Sequence, residues 1–282
     1  MNSSASTLTR HNHSRDAAGL LYVYPVLSRR AGGVSVGINL NPNNACNWHC
    51  LYCQVPDLVR GRAPTIDITR LETELRGFLD ELLYGDFMSQ RVPEDMRRIV
   101  DVAFSGNGEP TSAREFPEAV ELVARLLAEV GLTLPVRLIT NGSRVDRPAV
   151  KRGLAALARC GGEVWFKLDV GSSKRARLIN GVGLDPKNVA RRLRLCAEAC
   201  PTWVQTCVFA LDGQGPSEED LDAWFAILAD AGTDLLKGVL LYGLARPSLQ
   251  AGAERLSPLP WADMERLAAR IEKQGLRVSL SP

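Results

Sequence analysis

The chain has 282 residues, enough for one large domain or two small ones, and its 45% hydrophobic and 23% charged content is ordinary for a chain with a sizeable core. Its 34 Lys and Arg against 32 Asp and Glu leave a net charge of +2, which gives no electrostatic argument for nucleic acid or a lipid surface. No apolar run approaches the roughly 18 residues of a spanning helix, the polar start lacks an apolar signal core, and seven Cys suit a reducing interior better than a disulfide scaffold, so the expected location is the cytoplasm, away from membranes.

Residues 1–33 read as a lead-in, partly disordered, rich in Ser, Asn and His at its start; His11 and His13 fit a solvated tail better than a metal site. The first core strand is expected over Val34–Leu40, and a helical stripe follows at 71, 75, 78, 79, 82 and 83. Ile99–Phe104 is a β-branched run and reads as a buried strand. A helix over Phe116–Val130 stops at Gly131, and a strand over Val136–Thr140 closes at Asn141-Gly142. Pro148–Cys160 reads as a helix and Glu163–Val170 as a strand. Pro186–Ala199 is a helix with Asp185 as its N-cap, Thr202–Ala210 a strand, and Ser217 opens a helix to Ala231. Leu235–Tyr242 is the sixth strand; a loop with Arg246-Pro247, a helix over Trp261–Lys273 and a short tail at Arg277–Leu280 complete the chain. Six βα units with short connections predict parallel strands, in a barrel or in an open doubly wound sheet. Residues 34–282 form one expected domain.

Between the first strand and the first helix stands Ala45-Cys46-Asn47-Trp48-His49-Cys50-Leu51-Tyr52-Cys53-Gln54. One fixed spacing of three Cys is expected about 0.004 times by chance in a chain with seven. Thiolates that converge on one soft-metal centre need such a short bent segment. Iron–sulfur clusters usually take four Cys, so three in one loop leave one iron open for chemistry. A zinc knuckle with His49 or plain packing are the competing readings. His49 sits between two of the thiols, where closing a tetrahedron is awkward.

Cys46, Cys50, Tyr52 and Cys53 resemble, position for position, the Cys-x3-Cys-x-aromatic-Cys hallmark of the radical S-adenosylmethionine (SAM) superfamily. The resemblance implies a [4Fe-4S] cluster on the three thiolates, with SAM chelated at its unique iron, and a partial (β/α)6 barrel over roughly residues 34–280. It implies further that the cluster cleaves SAM reductively to a 5′-deoxyadenosyl radical that abstracts hydrogen from a substrate. An electron donor such as flavodoxin or ferredoxin is implied with it.

In such a barrel, function gathers at the carboxyl ends of the strands. The polar residues there are Ser105-Gly106-Asn107-Gly108-Glu109, Thr140-Asn141, Lys167 and Asp169, Gln205, and Tyr242 with Arg246. Gly106-Asn107-Gly108-Glu109 resembles the superfamily's Gly-Gly-Glu element, which holds the SAM amino group, although Asn107 intervenes. Lys167 and Asp169 share one face of a strand and would either pair or contact SAM. Gln205 reads as ligand-facing or as a satisfied core amide. Tyr52 is the adenine-side contact by resemblance. Cys160, Cys196, Cys200 and Cys207 form no compact loop and read as packing residues.

The whole run from Gly37–Asn44 through Gln54–Arg60 is similar to Fe–S oxidoreductases grouped with the tRNA wyosine-base synthetases, which implies a tRNA base as one substrate. A small molecule and a peptide or glycyl-radical enzyme are the others. Against tRNA stands the absence of a clustered basic stripe; the groups Arg60, Arg62 and Arg191, Arg192, Arg194 read as solvated faces. A non-catalytic iron–sulfur or zinc sensor is the alternative class.

Overall fold

Eight strands share one sheet in the computed structural model, which describes residue 8 and residues 18–28, 32–244 and 246–281. His11 and His13 lie outside the described residues. The strands are β1 (Val23–Ser28), β2 (Gly33–Ile38), β3 (Ile99–Phe104), β4 (Val136–Thr140), β5 (Glu163–Lys167), β6 (Thr202–Cys207), β7 (Gly238–Tyr242) and β8 (Val278–Ser281). They stand side by side in chain order. β2 to β8 are all parallel, and β1 alone runs antiparallel, against β2.

Helices cross over between the parallel strands: α1 (Ile68–Tyr84), α2 (Phe116–Glu129), α3 (Pro148–Arg159), α4 (Ser173–Ile179), α5 (Pro186–Ala199), α6 (Glu218–Ala231) and α7 (Trp261–Glu272). Parallel strands need such crossovers. β1 and β8 end the sheet without pairing to each other, so the sheet curls into a partial barrel, the expected (β/α)6 class.

The strands' period of two explains which face goes where. Val34, Val36, Ile38, Val102, Phe104, Val136, Leu138, Val164, Phe166, Val204, Val239 and Leu241 are buried under the helices in one apolar core. The alternate residues face the concave side and include the polar or aromatic Ser35, Asp101, Arg137, Glu163, Trp165, Lys167, Trp203 and Gln205. There Ser35 and Arg137 both donate to Asp101, Arg137 donates to Glu163 at 2.8 Å, and the indoles of Trp165 and Trp203 donate to Glu163 at 3.0 and 3.1 Å. A half-buried face of this kind keeps its charges paired.

The helix starts follow their caps. Asp67 accepts from the Arg70 amide, Asp185 from the Lys187 amide as expected, and Ser217 forms a capping box with Asp220. Three elements differ from the sequence reading. Val23–Ser28 is a strand, secured where the Leu21 and Tyr22 amides donate to buried Glu74 of α1 at 3.1 and 2.7 Å. The expected tail pairs with β7 as β8. The seven-residue α4 was not foreseen; it starts at Ser172, whose hydroxyl accepts from the Arg175 amide. None of the described helices is long and apolar enough to cross a membrane.

Candidate active site

The cysteine loop leaves the carboxyl end of β2 and is tied to the barrel from several sides. Four asparagines in six residues, Asn39 to Asn44, introduce it. Such side chains mimic backbone and stabilise irregular turns. The Asn39 carbonyl oxygen accepts from the amides of Asn41 and Asn107, at 3.0 and 3.1 Å. Asn41 donates to the Ala45 carbonyl at 2.9 Å, and Asn107 donates to Asn44 at 2.6 Å. The Gly106–Glu109 turn is thereby pinned beneath the loop. Gly108 comes so close that a Cβ there would stand 2.1 Å from the Ala45 carbonyl oxygen. Only glycine fits.

The loop's middle rests on the end of α4. The amides of His49 and Leu51 donate to the carbonyls of Asn180 and Ile179, at 2.9 and 2.7 Å. Gly181, at φ +67°, lets the chain turn against His49, and Arg60 spans from the Asn47 carbonyl to the Gly181 carbonyl. The far end is held by the segment after β7. Ser248 donates to the carbonyls of Leu51 and Cys53 (2.7 and 3.1 Å), the Leu249 amide to Cys53 (3.0 Å), and Gln250 to Cys53 and Val55 (3.3 and 2.7 Å).

Asp169, just past β5, gathers the predicted polar residues. It accepts from the Tyr52 hydroxyl at 2.5 Å, from Asn180 at 2.8 Å and from the Cys207 amide at 3.1 Å, and Lys167 stands 4.0 Å away. The Lys167 ammonium lies 5.0 Å above the Tyr52 ring and donates to the Tyr242 hydroxyl at 3.3 Å. Burial opposes charge on Lys167, yet Asp169 and Tyr242 beside it hold the ammonium well above its usual range. Burial first, and then Asp169, raise the Tyr52 phenol well above its own. Tyr52 is thus a strut from the loop to β5, packed on Phe209 at 5.7 Å.

Glu109 is a strut of the same kind. Its carboxylate accepts from the Thr111 amide and hydroxyl, the Thr140 hydroxyl (2.6 Å) and the Asn141 amide (2.7 Å), so it fixes the end of β4. Asn141 in turn donates to Asn47 at 2.9 Å, and Asn47 to Ser143 at 2.7 Å. A cavity of about 190 Å³ opens here, lined by Asn47, Trp48, Asn141, Ser143, Lys167 and Asp169 among others. Tyr52, Gln205 and the Gly106–Glu109 turn are not among its lining residues. Gln205 is buried beside Lys167 in register, and its carbonyl oxygen has no partner among the described residues; the Asn107 carbonyl oxygen is in the same position.

Burial pushes the Cys46 thiol up to about 11 and the Cys50 thiol up to about 12, with Asp169 adding to the second. Thiols so placed need a cationic partner to ionise, and iron supplies that charge. Among the described residues no three His, Cys, Asp or Glu side chains gather as the ligands of a single metal ion do. A cluster asks less of them, because each thiolate binds a different iron. Three thiols on a braced loop, open polar atoms and a glycine cradle therefore fit a cluster with a ligand beside it. Cys196, Cys200 and Cys207 are buried and Cys160 is partly buried, and all four are free thiols. Cys160 and Cys200 donate to the carbonyls of Leu157 and Gly162.

Sequence reasoning missed Asn39, Asn41, Asn47 and Asn180. The density of Asn before the first Cys and the Asn180-Gly181 pair were the available signs.

The family model for the radical SAM superfamily matches residues 40–226, more than half of the chain. The chain belongs to the radical SAM superfamily. Members use a [4Fe-4S] cluster and SAM. The protein is 31% identical over 157 residues to UPF0026 protein MJ1312 of Methanocaldococcus jannaschii, covering 55% of this chain and 42% of that one. It spans less than half the length of the curated relatives it matches. Among solved structures, a radical SAM methyltransferase from Sphaerobacter thermophilus aligns with TM-score 0.57 at 14% identity, over 92% of this chain and 68% of that one. SuiB of Streptococcus suis, bound to SAM, aligns with TM-score 0.57 at 11% identity, over 90% and 52%. These two likenesses share the radical SAM fold with this chain.

Proposed function

We propose that this protein is a radical SAM enzyme in which Cys46, Cys50 and Cys53 hold the [4Fe-4S] cluster. The observation that carries the reading is the braced thiol loop at the carboxyl mouth of a partial barrel, beside a cavity edged by Asn141, Lys167 and Asp169. When bound, the cluster supplies the electron that cleaves SAM to methionine and a 5′-deoxyadenosyl radical, which abstracts hydrogen from the substrate. The chain's own part is to place and shelter. Asn141, Lys167 and Asp169 are the proposed SAM contacts on the cavity wall, with Gly106-Asn107-Gly108-Glu109, Tyr52 and Gln205 behind them. Lys167 brings a held positive charge suited to the SAM carboxylate.

Among substrate classes, support is greater for a small molecule or peptide than for a tRNA base. Four of the five arginines named for a tRNA reading are engaged within the chain. Arg191 and Arg192 both donate to Asp146, Arg194 to the Asp230 carbonyl, and Arg60 to the loop carbonyls. The barrel domain expected from 34 to 282 is proposed to include β1 as well, since β1 pairs with β2, and to take electrons from a flavodoxin- or ferredoxin-like donor.

The test is anaerobic reconstitution with iron and sulfide, addition of SAM and a strong reductant, and assay of 5′-deoxyadenosine. Production that is lost in Cys50→Ala is expected. An iron-loaded protein that neither cleaves nor binds SAM would overturn the enzyme reading in favour of a non-catalytic cluster protein.

A further inference from the structure

Asn180 is fully buried at the end of α4, and its amide nitrogen faces two acceptors: the Cys50 sulfur at 3.3 Å and the Asp169 carboxylate at 2.8 Å. Both partners can only accept when ionised, so the nitrogen end of the amide must point at them. The carbonyl oxygen at the other end has no partner among the described residues. The side chain is therefore oriented by its two donor bonds alone. Cys46 differs: its sulfur receives a backbone amide, that of Trp48 at 3.4 Å, from within the same loop. Cys50 alone of these two is served by a side chain from another element.

The backbone around Asn180 does a separate job. The bonds from His49 to the Asn180 carbonyl and from Leu51 to the Ile179 carbonyl place the loop whatever side chain stands at 180. That leaves the amide nitrogen free to act on the sulfur's charge. Reduction of an iron–sulfur group adds one electron and spreads negative charge onto its thiolates, and an N–H aimed at a thiolate favours that state. No water competes at a fully buried donor, so the effect is not diluted.

We propose that Asn180 is a positioning residue that donates an N–H···S hydrogen bond to Cys50, raising the readiness of the bound group to take up its electron. The inference rests on the cluster assignment above. It makes Asn180 the counterweight to Asp169, whose carboxylate lies on the same amide and disfavours added negative charge.

The experiment compares wild type, Asn180→Leu, which keeps the branched outline and removes the donor, and Asn180→Ser, a smaller side chain that retains one. Each is reconstituted anaerobically with iron and sulfide. Iron content is measured, and the reduction of the cluster is followed by redox titration with paramagnetic resonance, without SAM. The expected result is full iron loading with the reduction equilibrium of Asn180→Leu moved about tenfold toward the oxidised form, a shift of about 59 mV for a one-electron couple. Asn180→Ser should fall between it and wild type. Loaded variants that titrate with wild type overturn the proposal while leaving the cluster assignment intact. Variants that take up no iron when wild type does also overturn it, assigning Asn180 to assembly instead. A wild type that takes up no iron sinks the cluster assignment, and this inference with it.

Discussion

Asp169 accepts three hydrogen bonds and neighbours an ammonium, and Glu109 accepts four hydrogen bonds. Both were legible in the sequence as polar residues at strand ends; their partners were not, because a strand's period gives a side chain's face but not who meets it there. Asp146 shows the same economy nearer the surface. Burial works to raise its carboxyl, but the guanidinium groups of Arg192 and Arg191 outweigh that and hold it below the ordinary aspartate value of 3.8. A carboxyl lowered in the folded state adds stability that is present above its unfolded value and lost as pH falls through the folded one. Asp146→Asn should therefore be less stable than wild type at neutral pH, and the gap should close as pH falls below 3.8. Urea unfolding across that range measures it; a gap that widened in acid would contradict the assignment.

At the scale of elements, glycines separate sites that bear on the loop from sites that do not. Gly108→Ala would drive a methyl group into the Ala45 carbonyl, and overpacking of this kind costs about 1–3 kcal/mol. Gly77, within α1, has nothing within 4 Å of an added Cβ. Gly77→Ala should stabilise by about 0.5–1 kcal/mol. Thermal unfolding of the two variants should move in opposite directions, and Gly108→Ala alone should retain less iron after reconstitution. The sequence disclosed the crossover helices well, since Pro186–Ala199 and Ser217–Ala231 carry caps and stops that act locally. It disclosed α4 poorly, because seven residues span too few turns for a periodic stripe. It also missed β1, whose pairing with β2 and tie to Glu74 are made by residues far along the chain. Asn180 was hidden by both effects at once.

Across the whole molecule, the three thiols sit early in the chain while the braces on Cys53 come from its last quarter. Ser248 and Gln250 lie 195 and 197 residues from Cys53. Replacing both with Ala removes four hydrogen bonds to the loop's carbonyls and, among the described residues, leaves the Cys53 carbonyl only the Leu249 amide. At about 1 kcal/mol for each bond lost, a chelator should extract iron from the double variant at least tenfold faster than from wild type; equal rates would show the braces to be idle.

The same long reach sets an order of events during synthesis. A loop braced by a residue 195 positions downstream cannot be completed until that residue has been made. Before then β2 and later α4 can stand beside the three sulfurs, but the Ser248–Gln250 segment cannot. Between the synthesis of β2 and that of Ser248–Gln250, the three sulfurs therefore stand without their last brace.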